Sequence, residues 1–159
     1  MTQPVKPIPD GYTAVTPYIT IKNAAAAIEF YKKAFGAEEA MRFNTPDGKI
    51  AHAEIRIGGA ALMLSEESPQ WNALSPQTIG GTATSLMLYV KDADAVFRRA
   101  VEAGATATMP VADQFYGDRC GNIVDPFGHK WSIATHIEDV SHEEMGRRMA
   151  KMFAEVPTG

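Results

Sequence analysis

The chain has little cysteine, no long apolar run and no cluster of one charge sign. Cys120 is its single cysteine, so neither an internal disulfide nor a cysteine-rich metal site is available. No stretch approaches the roughly 20 apolar residues that a membrane span needs. The N-terminus also lacks a basic segment followed by an apolar one. The sequence therefore predicts a cytoplasmic protein without a membrane segment.

The distribution of charges gives no indication of a polyanionic partner. The chain has 15 Lys and Arg against 19 Asp and Glu, a formal net charge of −4, with the two signs interspersed. Because there is no basic patch, nothing attracts the protein to nucleic acid or to an anionic membrane. We expect a small-molecule ligand or a protein partner. Cys120 has two interpretations, a buried unreactive thiol or, with Arg119 beside it, an activated nucleophile.

The chain does contain an internal repeat. Segment 16–23 aligns with segment 85–92 at a constant offset of 69 positions (16 to 85, and 23 to 92). Each segment alternates as a half-buried strand does and ends in a helix-capping residue, Asn23 or Asp92. A helical pattern follows each cap, so the repeat predicts two copies of one structural module.

Three strand-like runs follow each predicted helix. They cover 38–44, 49–57 and 60–65 in the first copy, and 105–111, 120–125 and 129–136 in the second. The sequence therefore predicts an α+β fold of two tandem β-α-β-β-β modules. We expect one domain with module one at about 12–66, a linker at about 67–84, module two at about 85–138 and a C-terminal helix at about 141–154.

Three segments lie outside the repeat. Residues 1–11 contain three prolines and predict an extended arm. Trp71, in the linker, is interpreted either as part of a lid over a pocket or as a side chain packed on the outside of a sheet. In the C-terminal helix an apolar stripe indicates packing or a dimer contact. That stripe consists of Met145, Met149, Met152 and Phe153.

Two motifs accompany the repeated module, Ile28-Glu-Phe-Tyr-Lys-Lys-Ala-Phe-Gly36 and Asp125-Pro-Phe-Gly-His-Lys-Trp131. Together with the repeat they resemble the vicinal oxygen chelate superfamily, which includes glyoxalase I, extradiol dioxygenases and bleomycin-binding proteins. A closer resemblance, to the PhnB-like branch, rests on 115–119, 125–129 and 134–136. The resemblance implies that each module curls a four-stranded sheet and that the two sheets form a cup with the helices outside.

The resemblance also predicts where a metal would bind. Superfamily members that use a metal place ligands on the first and last strands of each module, which correspond here to Thr16, Met63, Ser85 and Ser132. Divalent metals of this superfamily require imidazole nitrogen and carboxylate oxygen, which hydroxyls and a thioether do not replace. We therefore expect no metal at the usual site and no cofactor.

Strand alternation separates the two faces of each predicted sheet. The apolar residues that alternate with the inner-face positions would pack under the helices. The inner set, facing the cup, consists of Thr16, Tyr18, Thr20, Ala61, Met63, Ser65, Ser85, Met87, Tyr89, Lys130, Ser132 and Ala134. An inner face of mixed polarity is typical of a binding site.

Ionisable residues alternate along the third strand of module one. His52, Glu54 and Arg56 share the inner face there, and burying them unpaired would be costly. In one interpretation His52 is a base oriented by Glu54, or the two form an atypical metal pair, while Arg56 attracts an anionic substrate. In the other, Glu54 pairs with Arg56 at a solvated rim and His52 is a polar wall residue.

The segment 114–119 is predicted to be a loop over the mouth of the cup. Tyr116 and Arg119 are its candidate ligand contacts, and the alternative is a local salt bridge between Asp118 and Arg119. Among the other histidines, His129 is expected to be structural. Strand alternation places His136 on the inner face, at the end of its strand.

Two functions from different classes follow. The first is a homodimeric protein that binds a small amphipathic or aromatic molecule without the usual metal. Its candidate contacts are Tyr18, Arg56, Met63, Met87, Tyr89, Tyr116, Arg119 and Ser132. The alternative is a lyase, isomerase or transferase acting on a small oxygenated substrate through His52 and Glu54, with or without a metal. A third hypothesis is a scaffold that binds a partner through the Met-rich tail.

Overall fold

The computed structural model describes residues 4–156, which form two modules of the predicted order. Module one comprises β1 (Tyr18–Ile21), α1 (Ala24–Phe35), β2 (Glu38–Asn44), β3 (Ile50–Ile57) and β4 (Ala60–Glu66). The linker contains a 3-10 turn (Pro69–Trp71) and the short helix α2 (Pro76–Ile79). Module two comprises β5 (Ser85–Tyr89), α3 (Ala93–Glu102), β6 (Thr106–Asp113), β7 (Asp118–Val124) and β8 (Lys130–His136), followed by α4 (His142–Ala154).

Each module forms one mixed sheet of four strands. The strand orders are β1-β4-β3-β2 and β5-β8-β7-β6, with the first and last strands of each module parallel and the other pairs antiparallel. The sheets are not closed into a barrel, and the helices cover their outer faces. The predicted α+β fold class, with its tandem modules and C-terminal helix, is confirmed.

The ends of the helices show one difference from the sequence prediction. Asp92 caps α3 as expected, because its carboxylate accepts a hydrogen bond from the Ala95 amide at 3.0 Å. Asn23 has a left-handed backbone (φ 70°), and its side chain does not cap α1. Glu66 supplies the missing acceptor, since its carboxylate accepts from the amides of Asn23 and Ala24 at 2.9 and 2.8 Å. The end of β4 thus fixes the start of α1.

The two modules share one hydrophobic core. Residues of both sheets and of both long helices belong to the same buried cluster, and α1 packs against α3. A buried carboxylate joins the modules: Asp125, in the β7–β8 turn, accepts hydrogen bonds from Tyr31 in α1 and from Trp131 in β8. His129 lies 2.9 Å from the carbonyl oxygen of Thr20 through Nε2, so its expected structural role fits this contact.

Several boundaries differ from the expected ones. β1 begins at Tyr18, not at residue 16, and β7 begins at Asp118, two residues before the predicted start. Part of the supposed loop 114–119 is therefore strand. Trp71 is 81% exposed, so it does not pack on the outside of the sheet. It lines an open cavity of about 440 Å³ at the end of β4.

The N-terminal arm and helix α4 are each attached to the modules by polar contacts. The N-terminal arm, which in the structure comprises residues 4–17, contacts the first sheet through Gly11 and Tyr12, which bind Arg56 and Glu54 of β3. Residues 1–3 of the expected arm lie outside the described part of the chain. Helix α4 has no buried residue and is held by Arg148, whose guanidinium binds the Glu138 carboxylate at 2.7 Å. Within the apolar stripe of α4, Met145 is partly buried, whereas Met149, Met152 and Phe153 are exposed. A dimer contact through that stripe stays a prediction.

Candidate functional site

The two faces of the first sheet differ as the alternation predicts. Residues such as Ile21, Ile55 and Leu64 are buried under the helices. On the opposite face, which we call the inner face of the first sheet, side chains of mixed polarity reach solvent, and Tyr18 is 51% exposed. Tyr18 and Met63 are direct neighbours on the β1–β4 ladder. The position opposite Met63 is thus occupied by Tyr18, and Thr16 precedes the strand.

A chain of hydrogen bonds crosses this inner face. The Tyr18 hydroxyl lies 3.0 Å from His52 Nδ1, and His52 Nε2 lies 3.2 Å from a carboxylate oxygen of Glu54. An ionised carboxylate only accepts hydrogen bonds, so in the neutral imidazole Nε2 carries the proton and Nδ1 accepts from Tyr18. The structure therefore brings His52 and Glu54 together and adds Tyr18 to them.

Tyr12, in the N-terminal arm, completes the environment of Glu54. Its hydroxyl donates to the second carboxylate oxygen of Glu54. Arg56 donates to the carbonyl of Gly11 and lies over the Tyr12 ring, 4.7 Å from its centroid. The expected pairing of Glu54 with Arg56 is thus wrong, because the arm binds both residues. Arg56 anchors the arm, and its guanidinium is not directed at an open ligand site.

The contacts of Glu54 set its ionisation. Glu54 is only 5% exposed, and this burial alone would raise its pKa. The Tyr12 hydroxyl, the His52 ring and the Arg56 charge outweigh this burial and lower the pKa of Glu54 below its ordinary value. Glu54 is therefore a carboxylate at neutral pH, as the orientation of His52 requires.

Removing the Tyr12 hydroxyl should make the free energy of unfolding less dependent on pH. A carboxyl group whose folded-state pKa is lowered stabilises the fold above its unfolded pKa, and this stability is lost as the pH falls through the folded pKa. In Tyr12→Phe the pKa of Glu54 returns toward its ordinary value. We expect the variant to be less stable than wild type at pH 7, with the difference shrinking as the pH falls below about 5, as measured by urea unfolding.

The control for that series is Thr13→Ala on the same arm. The Thr13 hydroxyl donates only to the Val15 carbonyl, so its loss should give a difference from wild type that does not vary with pH. A difference for Tyr12→Phe that is equally constant with pH would contradict the assigned contact between Tyr12 and Glu54.

Two residues of β2 that the sequence did not single out also lie on this inner face. Phe43 is the ladder partner of His52, and Met41 is the partner of Glu54, and directly opposed residues share a face. Phe43 is 61% exposed. Together with Tyr18 and Met63 they surround the His52–Glu54 pair with apolar and aromatic surface. The available signal was the alternation of Met41 and Phe43 with Arg42 between them, whereas the register shift between Glu39 and Met41 is not visible in the sequence.

The second sheet presents a different inner face. Met87 and Ser132 are ladder partners, as are Tyr89 and Ala134. Met87 and Tyr89 are both more than half exposed. Ser132 lines an open cavity of about 380 Å³ together with Ser85, Asn122 and Lys130.

Asp118 organises the far end of the second sheet. Its carboxylate accepts from the Tyr89 hydroxyl at 2.7 Å and lies 2.7 Å from His136 Nδ1. His136 Nε2 lies 2.9 Å from Asp139, and the carboxylates of Asp139 and Asp118 raise the pKa of His136. The sequence had linked Asp118 to Arg119, but successive strand residues point to opposite faces.

Arg119 is correspondingly on the outer face. Its guanidinium binds Asp94 of α3 at 2.6 Å and Asp113 of β6 at 2.8 Å. The structure therefore separates Arg119 from Tyr116 and from the inner face, and its expected ligand role has no geometric basis.

Tyr116 and Cys120 lie close together near the inner face of the second sheet. Burial and the neighbouring thiol raise the pKa of Tyr116, and burial raises the pKa of the Cys120 thiol. A raised pKa lowers the thiolate fraction. Of the two interpretations of Cys120, the unreactive thiol therefore agrees with the structure, since Arg119 is turned away toward Asp94.

The positions that would hold a superfamily metal do not fit one. The predicted positions Thr16, Met63, Ser85 and Ser132 offer hydroxyls and a thioether, which are poor donors for Zn²⁺, Ni²⁺ or Fe²⁺. Tyr18 and Met87, the ladder partners of Met63 and Ser132, add no better donor. Within residues 4–156, no three His, Cys, Asp or Glu side chains are grouped so that they could hold a metal ion. His52 and Glu54 are two such donors, and they are engaged with Tyr18 and Tyr12.

The module order, the paired sheets and the inner-face sites define a glyoxalase-type fold. The family model described as Glyoxalase/Bleomycin resistance protein/Dioxygenase superfamily matches residues 12–133. The chain belongs to this superfamily. No helix within residues 4–156 has the length and apolar character needed to cross a membrane.

Similar proteins support this placement. Uncharacterized protein Rv0887c of Mycobacterium tuberculosis is 42% identical over 140 residues, covering 86% of this chain and 82% of that protein. The X-ray structure of the Arabidopsis thaliana At5g48480 product has a TM-score of 0.63 at 26% identity and covers 77% of this chain and 98% of that one. A PhnB protein from Bacillus cereus shares the fold, with a TM-score of 0.61 at 18% identity over 77% of this chain and 99% of its own.

Proposed function

We propose that the protein binds a small aromatic or amphipathic molecule on its inner faces, without the superfamily's usual metal site. The observation that carries this proposal is the exposed surface around His52. Phe43 is 61% exposed and Tyr18 is 51% exposed, beside the hydrogen-bonded His52–Glu54 pair. Apolar surface with a few fixed polar groups is typical of small-molecule sites.

Methionine and aromatic side chains suit a ligand of variable shape. Met41 and Met63 flank Glu54 on neighbouring strands, and flexible thioethers adapt to irregular apolar ligands. Met87, Tyr89 and Ser132 would extend the contact surface on the second sheet, and Tyr116 would contribute from near its edge. Arg56 supports this site indirectly, by holding the arm.

We further propose that the protein acts as a cytoplasmic homodimer. The inner faces are open within one chain, and the resemblance to bleomycin-binding proteins implies a pocket that spans two chains. A second copy would cover part of the exposed apolar surface, which a lone monomer leaves in water. The single cysteine is a buried thiol and fits a reducing compartment.

Titration with the fluorescent probe 8-anilinonaphthalene-1-sulfonate tests the site. We expect saturable binding to the folded wild type and about fivefold weaker binding by Phe43→Ala, which corresponds to about 1 kcal/mol. The reason is the loss of an aromatic contact beside His52. The matched control is Phe153→Ala, which removes a Phe that is 65% exposed on α4 and should change the affinity less than twofold.

Two outcomes would contradict the proposal. Binding that is weakened by Phe153→Ala but not by Phe43→Ala would place the probe on α4 and favour the scaffold hypothesis. Absence of saturable binding would remove the binding function. Sedimentation velocity of the same samples tests the assembly, and a strictly monomeric protein would contradict the dimer.

A second candidate function is favoured by the orientation of His52. A histidine whose one nitrogen faces a carboxylate and whose other nitrogen accepts a proton has the arrangement of a general base. The alternative is thus an isomerase, lyase or transferase acting on a small oxygenated substrate through His52 and Glu54.

A further inference from the structure

We propose that His136 is the centre of a proton-operated clamp, which in its charged form ties the segment after β8 to β7 and so holds helix α4 on module two. The clamp consists of His136, Asp118 and Asp139. It belongs to the second sheet and shares no residue with the chain of hydrogen bonds around His52.

The first argument is the number of protons on the His136 ring. Nδ1 lies 2.7 Å from a carboxylate oxygen of Asp118, and Nε2 lies 2.9 Å from a carboxylate oxygen of Asp139. Ionised carboxylates only accept hydrogen bonds, so the two contacts together require a proton on each ring nitrogen. A neutral imidazole has one N–H and leaves one of the two carboxylates without a donor. The observed geometry is therefore that of the imidazolium.

The second argument concerns which contact opens when the ring loses a proton. Asp118 is 3% exposed, and its other oxygen accepts from the Tyr89 hydroxyl at 2.7 Å. Withdrawing the His136 donor from this buried charge would be costly. The Asp139 side chain is fully exposed, so water replaces the imidazole there at little cost. Loss of the proton thus opens the contact to Asp139 and keeps the contact to Asp118.

The third argument is what the segment after β8 holds. The Ile137 and Glu138 amides donate to the Gly117 carbonyl, and the Glu138 carboxylate binds Arg148 of α4 at 2.7 Å. Arg148 also donates to the Phe115 carbonyl at 3.3 Å. Helix α4 has 13 residues, none of them buried, and a helix of this length is marginal in water by itself. Its order therefore depends on the position of this segment.

The groups around the clamp determine the pH at which it opens. The carboxylates of Asp139 and Asp118 raise the pKa of His136. Lys91 lines an open cavity of about 560 Å³ beside the ring, and a neighbouring positive charge opposes protonation, but the two carboxylates prevail. The titratable or charged groups that face the clamp from neighbouring elements are Tyr89, Lys91, Tyr116 and Cys120.

The raised pKa of His136 gives the clamp its direction. Such a histidine stabilises the folded state fully below its unfolded pKa of about 6.5, and this stabilisation is lost as the pH rises through the folded pKa. The clamp is therefore closed in mild acid and opens in mild alkali. Its pH range differs from that of Glu54, whose contacts change below about pH 5.

Hydrogen exchange of the full chain, measured by mass spectrometry, tests the clamp. Between about pH 6 and about pH 9, we expect the protection factors of amides 145–151, corrected for the intrinsic exchange rate, to fall about two- to fivefold. This is the range that one exposed charge pair supplies. Amides 27–34 of α1 are the internal reference and should not change. The fall should follow the titration of the His136 ring, recorded by NMR.

Three variants assign the effect to the clamp. Asp139→Ala removes an exposed acceptor and disturbs no buried group. It should abolish the fall, hold amides 145–151 at the alkaline wild-type level at every pH, and lower the pKa of His136. His136→Gln, which cannot become charged, should also abolish the fall. His142→Gln removes the imidazole at the start of α4 and is the matched control, which should keep the wild-type fall.

Four results would overturn the proposal. They are a wild-type fall of less than about twofold, a fall that does not coincide with the titration of His136, a fall that persists in Asp139→Ala, and a fall that His142→Gln removes as completely as His136→Gln does. The last of these would assign the pH dependence to the end of the helix.

Discussion

Asp125→Ala is expected to destabilise the protein by about 4 kcal/mol. Asp125 is 3% exposed, and one of its oxygens accepts from the amides of Phe127 and His129 at 2.9 and 3.0 Å. The other accepts from the Tyr31 hydroxyl at 2.7 Å and from Trp131 Nε1 at 2.9 Å. Alanine would leave these buried donors unpaired, each at a cost of about 1–3 kcal/mol before relaxation.

Thermal unfolding checks this prediction, with an expected fall in Tm of about 10 °C for a chain of this size. Asp47→Ala is the matched control, because Asp47 occupies the Asp-Gly turn between β2 and β3 but is exposed, and its side chain contacts Thr45. A loss for Asp125→Ala no larger than that for Asp47→Ala would contradict the role of Asp125 in joining the modules.

Gly117→Ala is expected to cost about 3 kcal/mol or more. Gly117 has a φ of +97°, and an added Cβ would collide with the Glu138 carbonyl oxygen. The Gly117 carbonyl also accepts from the amides of Ile137 and Glu138 at 2.9 and 3.0 Å. A methyl group would therefore push apart the start of β7 and the segment after β8, and would displace Asp118 from His136.

Urea unfolding measures this cost. The control is Gly146→Ala in α4, where an added Cβ would meet nothing within 4 Å, and replacing a helical glycine should stabilise the protein by about 0.5–1 kcal/mol. Opposite signs for the two variants are expected. Equal effects would contradict the close approach at Gly117.

The repeat made most of the fold predictable. Strand alternation and helix spacing act over a few residues, so Ile28, Tyr31 and the two faces of each sheet could be assigned from neighbouring positions. The turn at Asp125 was visible as a motif, but its contact with Tyr31 spans 94 positions. That contact depends on how the modules pack, which local patterns do not encode.

The candidate site was predicted only in part, because strand alternation is a local pattern whereas contacts between distant segments are not. His52 and Glu54 share a face because they are two residues apart on one strand, and the sequence was sufficient for that. Tyr12 was not found, since nothing local indicates that the arm crosses the sheet to Glu54. Arg119 was misplaced because the segment before it was taken as loop, whereas β7 begins at Asp118 and turns Arg119 outward.

The account depends on ligand binding at the inner face of the first sheet. The direct test is an NMR spectrum of protein labelled with ¹³C-methyl methionine, recorded with and without saturating 8-anilinonaphthalene-1-sulfonate. Met41 and Met63 lie on that face, whereas Met149 and Met152 are exposed on α4. The account predicts that the signals of Met41 and Met63 shift on binding while those of α4 stay unchanged. Shifts confined to Met149 and Met152, or no shifts at all, would contradict it.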